Sequence, residues 1–129
     1  MSESEVEQLI TLEGPRHGCI LERNNSGAFK DMTGRVVRFG LGAISKKHAE
    51  KMRSADRIGI TTVTVTQEMV GKTIGVYTAV EVKEASWNPA KKLDAHEQAQ
   101  KNWLDWVLAR GGFAGFANSV ESFRKIIGK

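Results

Sequence analysis

The sequence predicts an α/β fold in which a mixed β-sheet is flanked by helices. Three patterns carry that expectation. Stretches 57–66 and 73–83 are rich in Val, Ile and Thr and read as strands. The short connection 67–71 between them predicts antiparallel pairing. Residues 94–110 have apolar side chains at helical spacing and stop at Gly111-Gly112, and the apolar run 113–117 follows. Residues 74–117 therefore read strand–helix–strand, a right-handed parallel crossover.

The remaining elements follow from local signals. Residues 2–12 form a short amphipathic helix, with Ser2 or Ser4 as cap, Val6, Leu9 and Ile10 as its apolar stripe and Gly14-Pro15 as its end. Cys19-Ile20-Leu21 reads as a strand. Asn24-Asn25-Ser26-Gly27 and Asp31-Met32-Thr33-Gly34 read as turns, with 28–30 and 35–39 pairing as a hairpin. Residues 40–54 are a loop with a short helix starting near Ser45, and residues 85–92 are a second loop. Asn118 with Glu121 three residues on predicts a capping box for a last helix at 119–127. No repeat, low-complexity tract or linker interrupts residues 1–129, so a single domain is expected.

Composition narrows the class of protein. Of the 129 residues, 40% are hydrophobic and 26% charged, ordinary for a globular chain with its own core. The lone Cys19 has no partner for an internal disulfide. The acidic N-terminus lacks the apolar core of a signal peptide, and no apolar run approaches the roughly 20 residues of a membrane span. A cytoplasmic location is expected. Net charge is +4 but uneven: residues 1–13 hold Glu3, Glu5, Glu7 and Glu13 with no Lys or Arg, leaving 19 basic against 11 acidic groups elsewhere. A basic body suits a polyanionic partner.

The chemistry centres on Tyr77-Thr78-Ala79-Val80-Glu81-Val82-Lys83. In a strand Glu81 and Lys83 share one face while Val80 and Val82 take the other. A carboxylate and an ammonium side by side can hold a divalent metal and position an attacking water. The same pair also reads as a strand-end ion pair worth at most about 1 kcal/mol. Asp56 stands where a basic loop enters the strand at 57; it either reaches the metal of Glu81 or pairs with Arg57. Carboxylate oxygens select Mg²⁺ or Mn²⁺ over zinc. On the helix at 94–110, Gln100 shares the stripe of Trp103, Leu104, Val107 and Leu108, a polar residue needing a partner, in an active site or in the core. Glu3, Val6, Glu7 and Ile10 also share a stripe, so one of the two glutamates can face inward.

Taken in order, these segments resemble the VRR-NUC group of PD-(D/E)XK nucleases, particularly the short stand-alone forms encoded by bacteriophages. The resemblance runs through the helix bearing Glu3, Arg23-Asn24-Asn25-Ser26-Gly27-Ala28, Arg38-Phe39-Gly40-Leu41 and Ser54-Ala55-Asp56-Arg57-Ile58-Gly59. It continues through 63–73, Thr78-Ala79-Val80-Glu81-Val82-Lys83, Gln100 and Gly111-Gly112-Phe113-Ala114-Gly115. It implies a restriction-endonuclease-like core and metal-dependent DNA cleavage, with Asp56, Glu81 and the backbone carbonyl of Val82 on the metal. Lys83 would orient the attacking water, Gln100 would hold Lys83 or that water, and Glu3, or else Glu7, would assist through a water. Two departures stand out: Ala55-Asp56 replaces Pro-Asp, and Arg57 follows Asp56 where the pattern has an apolar residue. Arg57 either competes for Asp56, points to solvent or meets a phosphate.

Substrate contacts are expected from the basic loop, Lys46, Lys47, Lys51 and Arg53, extended by Arg23, Arg35 and Arg38. A solvated basic face is the alternative. Stand-alone relatives resemble Holliday-junction resolvases, which implies a homodimer acting on branched DNA. A less selective nickase or flap nuclease, and a DNA-binding module without catalysis, are the alternatives. An exposed Trp106 would mark a dimer contact or a base-stacking platform.

Overall fold

A computed structural model of the chain describes residues 1–25, 27–41, 45, 47, 51 and 55–129. It is a mixed α/β structure. The chain divides into two compact units, Met1–Val63 and Thr64–Lys129.

The first unit opens with helix α1, Glu3–Glu13. Ser2 caps it: its hydroxyl accepts from Glu5 N and the Glu5 carboxylate accepts from Ser2 N, a closed capping box. Gly14-Pro15 does not end the helical path outright. A 3-10 turn, Gly14–His17, carries it to Gly18, whose φ is 73°. Strands β1, Cys19–Arg23, and β4, Arg57–Thr61, then pair antiparallel, with Arg23 opposite Arg57. Gly59 is needed in this ladder, because a Cβ there would lie 1.8 Å from the Ile20 carbonyl oxygen. Ile60 is buried in the first unit, and Cys19 is a half-buried free thiol. The expected hairpin forms from β2, Gly27–Lys30, and β3, Val36–Phe39. Its turn is set by Asp31, whose Oδ1 accepts from Thr33 N, Thr33 Oγ1 and Arg35 N. The helix expected near Ser45 falls largely outside the described residues.

The second unit is a β–α–β structure. Strands β5, Thr78–Val82, and β6, Phe113–Ala117, pair in parallel and are joined through helix α2, Ala95–Ala109. The antiparallel pairing expected between 57–66 and 73–83 does not occur. Both strands are shorter, β4 pairs with β1 and β5 with β6, and a 3-10 turn, Gln67–Met69, occupies the connection. Among the described residues the ladders are thus three two-stranded sheets rather than one continuous mixed sheet. Helix α2 closes on a Schellman arrangement: Gly112 N donates to Val107 O at 3.1 Å and Gly111 N to Leu108 O at 3.0 Å, with Gly111 at φ 83°. A last helix, α3, Val120–Ile126, packs on β6. Ser119 rather than Asn118 caps it, receiving Ser122 N. The Asn118 amide reaches back instead to the carbonyl of Trp87 at 3.0 Å.

The buried stripe of α2 also differs from expectation. It runs through buried Glu97, Leu104 and Val107 with Gln100 half-buried among them, Val107 being fully buried, whereas Trp103 is 40% exposed and Leu108 is also exposed. Trp103 and Trp106 stack on each other at 4.8 Å, and the Arg110 guanidinium covers the half-buried Trp106 ring at 4.1 Å. Among the described residues no helix is long and apolar enough to cross a membrane.

Candidate functional site

In the second unit the alternation of β5 decides which side chains meet α2. Val80 and Val82 line a groove of about 370 Å³ with Phe123 of α3. Lys83 continues the ladder, its N–H donating to Ala117 O at 2.8 Å, and its side chain goes the other way, under α2. There Lys83 Nζ donates to Gln100 Oε1 at 2.9 Å and stands 5.5 Å from the centre of the Phe116 ring. Glu81, two positions earlier, shares that face and is half-buried. The structure therefore joins Lys83 and Gln100 directly; the stripe position of Gln100 predicts a polar partner without naming it, and the resemblance implies Lys83 or a water.

A residue that sequence reasoning passed over completes this cluster. Glu97 lies one helical turn before Gln100, with its side chain only 5% exposed. Its Oε2 accepts from Trp87 Nε1 at 2.7 Å and lies 3.8 Å from Lys83 Nζ, and Oε1 lies 3.2 Å from Lys91 Nζ. It is also the third helical residue of a capping box: Asp94 Oδ1 accepts from Glu97 N at 2.8 Å, and Glu97 Oε1 from Asp94 N at 3.2 Å. The Trp87 indole N–H first, and the Asp94 backbone N–H next, hold its carboxyl at about 2 against the opposing effect of burial. Two signals point to it in the sequence: Asp94 and Glu97 stand three apart at a helix start, and Glu97 is three before Gln100.

In the first unit, Glu3, Val6, Glu7, Ile10, Asp56 and Arg57 line one cavity of about 240 Å³. The α1 stripe of four is thus turned toward the start of β4. Arg57 does not pair with Asp56. Its Nε donates to Glu7 Oε1 at 2.7 Å, and the Asp56 carboxylate is exposed with no partner among the described residues. The Asp56 backbone is fixed: its carbonyl accepts from Asn24 N at 2.9 Å, and Asn24 Nδ2 donates to Ala55 O at 2.7 Å. Arg23, beside Asn24 and opposite Arg57, presents an exposed side chain at this end of the ladder.

Of the other expected DNA contacts, Arg35 is exposed beside Asp31 and Arg38 is half-buried on β3. Lys47 and Lys51 are exposed, while Lys46 and Arg53 lie outside the described residues. Among the described residues no three His, Cys, Asp or Glu side chains stand close enough to cage a metal. Mg²⁺ does not require such a cage, since it keeps waters and binds through one or two carboxylates plus substrate phosphate. The acidic donors here are oxygen only, without thiolate or imidazole, and suit such a hard cation. Compared with family models, curated proteins and solved structures, the chain matches none.

Proposed function

We propose that the chain is a metal-dependent DNA endonuclease with a PD-(D/E)XK-type core, acting as a homodimer on branched DNA. The observation that carries this reading is the Lys83–Gln100 hydrogen bond at 2.9 Å on the face shared by Glu81. In the nuclease group that the sequence resembles, a strand-end acid–lysine pair held by a helix glutamine is what would position a water for attack on a phosphodiester. Within the first unit, Glu3 and Asp56 line one cavity, as two residues with neighbouring roles in this reading would. Arg57, engaged by Glu7, leaves Asp56 to a cation.

In this reading the carboxylates of Asp56 and of Glu81, and the Val82 carbonyl, would be the groups that bind Mg²⁺ or Mn²⁺. The metal would supply charge neutralisation at the phosphate and a more acidic water. The chain's own residues do the rest. Lys83 donates a hydrogen bond to the attacking water or the phosphate, and Gln100 fixes its direction. Glu3 orients a water at the edge of the site. Arg23, Arg35, Arg38 and the basic loop of Lys46, Lys47, Lys51 and Arg53 neutralise the DNA backbone. Each active centre cuts one strand, so paired incision across a junction takes two copies.

The test is incubation of end-labelled four-way junction, flap and linear duplex with the protein, with and without Mn²⁺. Cleavage confined to the Mn²⁺ samples and strongest on the junction is expected. Lys83→Ala should lower the rate roughly 10²- to 10⁴-fold, the range for losing a positioned proton donor or acceptor. Equal cleavage of flap and duplex would point to a less selective nuclease. Binding without cleavage by folded protein would reduce the chain to a DNA-binding module.

A further inference from the structure

We infer that Glu97 is a positioning residue: a buried carboxylate that, together with Gln100, fixes the Lys83 ammonium in the place from which it acts. The role in cleavage rests on the nuclease reading; the geometry does not.

Two side chains of α2, one turn apart, converge on Lys83. Gln100 gives the short hydrogen bond, 2.9 Å, and Glu97 gives the countercharge, 3.8 Å. Lys83 needs one, because its side chain is only 16% exposed and an ammonium withdrawn from water without a partner is unfavourable. The Glu97 carboxylate is in turn unable to rotate. One oxygen receives the Trp87 indole and the other receives Asp94 N and faces Lys91, so the plane is fixed from both sides. Trp87 itself is held against Phe116 at 5.1 Å, the ring that also flanks Lys83. An ammonium has three N–H groups. With Gln100 on one and Glu97 facing another, the third remains for a water or a phosphate oxygen. Loss of the Glu97 charge would leave Gln100 alone to hold a flexible four-carbon stem, and the head would move toward solvent.

The experiment has two arms on the full-length protein. In the first, cleavage of the Mn²⁺-loaded protein on junction DNA is compared for wild type, Glu97→Gln, Lys83→Ala and the double variant. Gln keeps the length and a hydrogen bond to Trp87 but removes the charge. Glu97→Gln is expected to lower kcat by roughly 10- to 100-fold, the scale of a misplacement of about 1 Å, with the DNA Kd unchanged. In the Lys83→Ala background it should change kcat by less than about twofold, because coupled residues are not additive. Multiplying losses in the double variant would overturn the proposal, since an unrelated structural role is indifferent to Lys83. The second arm needs no activity. The ¹H–¹⁵N spectrum of the lysine ammonium groups should show a slowly exchanging Lys83 signal in the wild type, near in space to the Trp87 indole proton, and lose it in Glu97→Gln. An averaged Lys83 signal in the wild type would overturn the proposal even if the variant failed to fold. Absence of cleavage by the wild type, with the Lys83 signal present, would defeat the nuclease reading alone and leave the positioning geometry standing.

Discussion

The two units hold their candidate site residues in opposite ways. In the second, Lys83, Gln100, Glu97 and Trp87 form a continuous set of hydrogen bonds and ion pairs against buried Leu104 and Val107. Each side chain there is fixed by another. In the first, among the described residues, Asp56 is held only through its backbone and its carboxylate is exposed, while Arg57 and Glu7, 24% and 37% exposed, form an ion pair at the cavity. The Lys83 cluster is thus preorganised by the fold, whereas in the proposed function the Asp56 carboxylate would be completed by a cation. An ammonium on a flexible stem needs a fixed partner, whereas a carboxylate on a short side chain is already aimed by its backbone.

The largest contrast between the units should appear in stability. Leu104→Ala removes a buried side chain and should cost about 2–5 kcal/mol, whereas Leu9→Ala, on the exposed face of α1, should stay within about 0.5 kcal/mol. Urea unfolding checks both. Trp87, Trp103 and Trp106 all lie in the second unit, so tryptophan fluorescence reads that unit by itself. Equal losses would remove the contrast.

Acid should separate the units next. The Glu97 carboxyl titrates at about 2 in the folded protein against an ordinary 4.5. A depressed pKa stabilises the fold fully above about pH 4.5, and that contribution disappears as pH falls toward 2. Fluorescence-monitored unfolding midpoints should therefore drop between pH 4.5 and 2, and Glu97→Gln should flatten that drop while lowering the midpoint at pH 7. An unchanged slope in the variant would mean that other carboxylates govern acid unfolding.

The smallest effect is expected at Glu7. The Glu7–Arg57 pair is partly solvated, and a double-mutant cycle should give at most about 1 kcal/mol. Glu7→Gln should nevertheless raise the Mn²⁺ concentration needed for half-maximal cleavage several-fold, because the freed Arg57 then competes for Asp56. An unchanged requirement would show that Arg57 has no influence on the cation.

Much of this was legible in the residues. The α1 stripe of Glu3, Val6, Glu7 and Ile10 lines the cavity as its spacing predicts, and Gln100 meets Lys83. The hairpin 27–39 and the parallel pair joined through α2 follow from turn residues and from a helical period between apolar runs. Strand partners were less legible: 57–66 and 73–83 have a sequence compatible with pairing to each other, but periodicity gives no information on which edge a strand joins. The tryptophans were misplaced because Trp103, Leu104, Val107 and Leu108 allow two stripes, and packing against β5 and β6 selects the one through Glu97. A buried glutamate is legible only through its partners, and Trp87 lies ten residues away in a loop.

The proposed metal role of Asp56 and of Glu81 is tested most directly by Mn²⁺ binding, read from water-proton relaxation of the protein titrated with Mn²⁺. The account predicts a site in the wild type that is lost equally in Asp56→Ala and in Glu81→Ala, both remaining folded. Binding unchanged in either variant would remove that residue from the metal, and no binding by the wild type in the presence of DNA would contradict the metal itself.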